Sequence, residues 1–128
     1  VLLERESVSE FKTTLDARLL PECPGIEQWM LLAPLVYYSD ILGCDVVVPA
    51  NFITDFVSFK ALNWIAKRPA VVHDYLTSCV DIPFELANEV FKEAMLSVCV
   101  NEELCGNMYA AVELFGRSHK TETYTFYK

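Results

Sequence analysis

The chain has 128 residues, 53% of them hydrophobic and 22% charged, with ten basic against eighteen acidic side chains and a net charge of −8. That length suits one core rather than two, and that apolar content excludes intrinsic disorder. The acidic balance, with a pI near 4.6, argues against a nucleic-acid partner, because gripping phosphates calls for clustered Lys and Arg.

The first twelve residues read as an arm. Glu4, Arg5, Glu6 and Glu10 make it polar, yet Val1, Leu2, Leu3, Val8 and Phe11 are too apolar for a purely solvated segment. Because Glu4, Arg5 and Glu6 directly follow Val1-Leu2-Leu3, no secretory leader is expected here. Residues 13–118 are expected to form a single α+β domain.

From Arg18 to Phe56 the pattern is one of short strands broken by turns. The longest apolar run, Trp29 to Tyr38, is about half the roughly 20 residues a membrane-crossing helix needs, so no membrane span is expected. Its two alternating sets are both apolar, which predicts one strand covered on both sides, with Pro34 at a bulge or edge. Asp45 to Val48 is β-branched and predicts the next strand, stopped by Pro49. Phe52-Ile53-Thr54 is expected to continue extended after a turn at Ala50-Asn51.

The second half has a helical period. A helix is expected over Pro69 to Ser78, bringing Val72, Leu76 and Cys79 toward the core. Glu85 to Val98 places Leu86, Val90, Phe91, Ala94, Met95 and Val98 on one side, close to a 3.6 period, with Asp81 as cap and Pro83 in the first turn. After Asn101, a third amphipathic run of Leu104, Met108, Ala111, Val112 and Phe115 ends near Gly116. Residues 119–128 alternate Thr121, Thr123 and Thr125 with Glu122, Tyr124 and Phe126, a β-like tail suited to pairing with another sheet edge. The expected architecture is an N-terminal antiparallel sheet packed against a C-terminal half of about three helices.

Five cysteines, at 23, 44, 79, 99 and 105, form no CxxC pair and no zinc-finger spacing. They are expected to be reduced and to act as small apolar core residues, as in a chain folded in a reducing cytosol.

Chemically capable side chains concentrate between Thr54 and Asp74. Asp55, Ser58, His73 and Asp74 supply the residue types of a hydrolase, in which an imidazole activates a hydroxyl and a carboxylate holds the imidazole's tautomer. No G-x-S-x-G elbow surrounds Ser58, however, and no glycine-rich loop offers an oxyanion hole. The same residues also permit a structural reading, with Asp55 accepting backbone N–H bonds across a turn closed by Ser58. A third reading uses Asp55, His73, Asp74 and Glu93 as metal ligands, although adjacent His73 and Asp74 point about 100° apart on a helix. No cofactor motif is present.

Several blocks together resemble one family. They are Val48-Pro49-Ala50-Asn51-Phe52-Ile53-Thr54-Asp55-Phe56-Val57-Ser58, then Ala70-Val71-Val72-His73-Asp74-Tyr75-Leu76, then Ala87-Asn88-Glu89-Val90-Phe91-Lys92-Glu93-Ala94-Met95. In this order they are similar to the domain of unknown function 1353 family of tailed bacteriophages and prophages, with the likeness continuing through Met108 to Val112 and Phe115-Gly116. Members usually carry a proline where Lys60 stands, and often an aspartate where this chain has Asn88. An amide at 88 neither ionises nor accepts a proton near neutral pH. The resemblance implies a phage gene. The expected function is a virion structural or assembly protein at the tail or head-to-tail junction, made in the bacterial host cytoplasm. Its expected partners are other virion proteins or sister copies. The alternative is a small cell-wall hydrolase using Asp55, Ser58, His73 and Asp74.

Overall fold

A computed structural model describes residues 8–21, 28–55 and 67–98 of the chain. These form six strands and two helices in the order β1 (Glu10–Phe11), β2 (Ala17–Leu20), β3 (Gln28–Leu31), β4 (Leu35–Ser39), β5 (Cys44–Val48), β6 (Ile53–Asp55), α1 (Lys67–Cys79) and α2 (Phe84–Val98). The architecture is α+β, as expected, with antiparallel pairing throughout.

The strands do not make one sheet. They make two of three strands each, ordered β1-β4-β5 and β2-β3-β6. The division falls inside the apolar run read as one strand, because Leu32, Ala33 and Pro34 interrupt the ladder between β3 and β4. Proline has no N–H to give a ladder and a fixed φ, so the chain bends there and its two halves join different sheets. Leu31 stays joined to the second sheet beyond β6, donating to the Phe52 carbonyl at 2.9 Å and accepting from the Asn51 N–H at 2.8 Å. Asn51 adopts φ 74° at this turn, a left-handed conformation that asparagine tolerates better than most residues.

Burial is one-sided rather than two-sided. Leu35, Tyr37 and Ser39 of β4 are buried, whereas Val36 and Tyr38 between them are half-buried; Val46 and Val48 of β5 are buried and Val47 is exposed. The core therefore lies between the inner sheet faces and the helices. It gathers Leu31, Leu35, Tyr37, Val46 and Val48 with Ala70, Val71, Val72 and Leu76 of α1 and Ala87, Val90, Phe91, Ala94 and Met95 of α2. Val72 and Leu76 point inward as predicted, but Cys79 is exposed at the end of α1, and Cys44 is exposed in β5. Both are free thiols. Neither is the apolar core residue expected: Cys44 shares the phase of buried Val46 and Val48, and Cys79 that of Val72 and Leu76, but each stands at the very end of its element, where it stays exposed. Cys23, Cys99 and Cys105 lie outside the described residues.

The described residues contain two helices where about three were expected; the run from Leu104 to Phe115 lies outside them, as does the tail 119–128. Pro83, rather than Asp81, opens α2, its carbonyl accepting from the N–H groups of Leu86 and Ala87 at 3.0 and 3.1 Å. The sheet also begins within the segment 1–12 read as an arm: Phe11 pairs with Tyr37 across β1 and β4 and their rings pack with centroids 4.6 Å apart. Arg68 at the start of α1 donates to the Thr13 carbonyl at 3.1 Å and lies over the Phe11 ring. Among the described residues no helix is long and apolar enough to cross a membrane.

Candidate functional site

Helix α1 carries His73 and Asp74 next to each other, and the helical rotation of about 100° per residue sends them to different neighbours. His73 is buried and faces α2, where its Nε2 lies 2.7 Å from Asn88 Oδ1. An amide oxygen only accepts, so in this pairing Nε2 is protonated and donates. The ring also meets Phe91 and Phe84 edge-on, at centroid distances of 5.2 and 6.1 Å. Asp74 turns instead toward the second sheet, where its Oδ2 accepts from the hydroxyl of buried Thr54 at 2.6 Å. Next to it, Tyr75 packs edge-on against Phe52, 5.5 Å between centroids. The Thr77 hydroxyl donates back to the carbonyls of His73 and Asp74, at 2.9 and 3.2 Å.

The four residues named as a hydrolase set are thus distributed as follows. His73 and Asp74 sit on one helix but engage separate partners, Asn88 and Thr54. Asp55 ends β6, opposite Gln28 in the ladder. Ser58 lies outside the described residues. In a nucleophilic triad one ring nitrogen faces the hydroxyl and the other a carboxylate; here Nε2 faces a neutral amide instead.

The ligand set Asp55, His73, Asp74 and Glu93 does not form a metal centre among the described residues, which hold no group of three or more His, Cys, Asp or Glu side chains placed to bind one ion. The reason is directional. His73 faces α2, Asp74 faces β6, and Glu93 faces β4 and the turn after it.

Glu93 builds the densest polar cluster. Its Oε1 accepts from the Tyr37 hydroxyl at 2.7 Å and the Ser39 hydroxyl at 2.8 Å, and its Oε2 accepts from the Ile41 N–H at 2.9 Å. Ser39 in turn accepts from the Leu42 N–H at its hydroxyl (3.1 Å) and from the Gly43 N–H at its carbonyl (2.8 Å). Gly43 takes φ 71°, which glycine adopts at no steric cost. Burial drives the Tyr37 phenol far above its ordinary pKa; the Ser9 hydroxyl bonded to it pulls the other way, and Glu93's hydrogen bond and charge push it higher.

Sequence reasoning named Glu93 only as a fourth metal ligand and passed over Tyr37 and Ser39 as polar partners. A signal was present. With period 2, Tyr37 and Ser39 share the inward face of Leu35, so two hydroxyls enter the core and need an acceptor there.

The fold and its polar contacts define a small α+β domain whose two sheets are tied to a helical pair by internal hydrogen bonds. The chain belongs to the family described as Protein of unknown function (DUF1353), whose family model matches residues 29–112, from β3 through α2 and beyond. No curated protein and no solved structure matches it.

Proposed function

We propose that this protein is a non-enzymatic structural or assembly component of a bacteriophage particle, at the tail or the head-to-tail junction, and acts through contacts with other virion proteins. The observation that carries the non-enzymatic part is the 2.7 Å pairing of His73 with Asn88. The imidazole best suited to general-base work is buried against a neutral amide, and the neighbouring Asp74 is engaged by Thr54. These side chains join α1 to α2 and to β6, which is a fold-holding role. The phage setting rests on the family resemblance, and the contacting role is supported by large apolar side chains left exposed on the outer surface, including Val8 and Ile41. In this reading a third helix over Leu104 to Phe115 completes the C-terminal half, and the tail 119–128 reaches for a partner's sheet edge.

Washed, gradient-purified particles should contain the wild-type chain, detected by mass spectrometry. The purified chain should leave peptidoglycan intact. Solubilisation of peptidoglycan that disappears with Ser58→Ala and His73→Ala, both still folded, would replace this reading with the small hydrolase.

A further inference from the structure

We infer that the corner formed by the β4–β5 turn and the chain at Val8 is the docking surface for a different protein, one presenting an apolar pocket rimmed by Lys and Arg side chains. The inference rests on the assembly role proposed above and names the surface and partner chemistry for it.

An exposed apolar side chain on its own is ordinary. Here two of them stand on segments joined by a prearranged frame. Ile41 is 45% exposed and Val8 53% exposed, and Asp40 joins their segments by accepting the Val8 N–H at 2.9 Å. Beneath Ile41 the turn is held from several sides. Glu93 grips the Ile41 N–H, Ser39 grips Leu42 and Gly43, and Gly43 supplies the left-handed step. A turn ordered before binding loses little conformational entropy when it docks. Displaying Ile41 to water from such a frame brings no gain to the isolated fold, whereas inserting it in a pocket does.

Charge decides between occupants. Among the described residues, Glu10, Asp40 and Asp45 stand on the strands and turn that form the corner, and Lys12 pairs with Asp45 at 2.9 Å. A second copy would bring the same acidic corner and a net charge of −8 against its own, so a sister chain is disfavoured and a basic rim is favoured.

The test compares Ile41→Asp with Val47→Asp, an equally exposed position in the middle of β5. Each variant is expressed from the phage genome, checked for an unchanged melting temperature, and quantified in purified particles. The expected result is a loss of occupancy of about tenfold or more for Ile41→Asp and less than about twofold for Val47→Asp. Raising the wash from about 0.1 M to about 1 M salt, which cuts the screening length from about 10 Å to about 3 Å, should strip the wild type progressively. Wild-type occupancy by Ile41→Asp overturns the docking surface and leaves the assembly role standing. A wild-type dimer in sedimentation that Ile41→Asp dissociates overturns the choice of partner, and absence of the wild-type chain from particles overturns both readings.

Discussion

The two sheets are fastened to the helices in different ways. Sheet β1-β4-β5 is held by one carboxylate that collects three donors, two hydroxyls and one backbone N–H, through Glu93. Among the described residues, the Thr54 hydroxyl of sheet β2-β3-β6 donates to Asp74 of α1, and that helix is joined to its neighbour by the His73–Asn88 pair. The difference shows how one charge in a half-buried setting can organise a whole turn, while isolated pairs only fix the approach of two elements. A charge with three donors is well satisfied, but its removal strands all three at once.

The largest expected effect follows from that asymmetry. Glu93→Ala leaves the buried Tyr37 and Ser39 hydroxyls and the Ile41 N–H without their acceptor and should cost on the order of 3–5 kcal/mol. Urea unfolding measures it; a loss below about 1 kcal/mol would erase the contrast between the sheets. Asn88→Ala strands only the His73 Nε2–H and should cost about 1–3 kcal/mol by the same measurement. A cost equal to that of Glu93→Ala would place the stronger fastening in the helical pair.

Alkaline titration sharpens the comparison from the other side. The phenol of Tyr37 is held protonated in the folded state above its ordinary value of 10.0. An unfolded chain releases that proton near pH 10 and the folded chain does not, so the native state binds more protons and stability falls as pH rises past 10. The fall should be about 1.4 kcal/mol per pH unit for this residue. Tyr37→Phe should remove that component, and ultraviolet titration should show one phenol fewer ionising in the folded wild type. Ionisation of every tyrosine near pH 10 without unfolding would contradict the buried Glu93 cluster.

The smallest effect belongs to the outer face of the same sheet. Lys12 and Asp45 pair at 2.9 Å with side chains 45% and 38% exposed, so water screens them and Lys12→Ala should cost less than about 1 kcal/mol. A double-mutant cycle with Asp45→Ala measures the pair alone.

Much of the candidate site was legible residue by residue but not as a set of contacts. His73 and Asp74 stood out because imidazole and carboxylate are rare within an apolar helix, and the divergence of adjacent helical residues anticipated their separate partners. Nothing local pointed to Asn88 as the group facing His73, since it lies fifteen positions further along, beyond the turn that brings α2 back along α1. Glu93 was similarly hidden: the residues it serves are more than fifty positions upstream.

What the sequence determined alone is what depends on period and local chemistry. The 3.6 pattern marked Val90, Phe91, Ala94 and Met95 of the buried stripe of α2, though Leu86 and Val98 at its ends are only half-buried. The β-branched run stopped by Pro49 marked β5, and Ala50-Asn51 marked a turn that needs a tolerant residue. Only the tertiary structure decided that Trp29 to Tyr38 serves two sheets, that β4 buries one face, and that Cys44 and Cys79 are exposed at the ends of their elements. Apolar residues on both phases of a strand satisfy either face equally. Which phase is covered is settled by where the helices dock, and that depends on contacts between residues far apart in the chain.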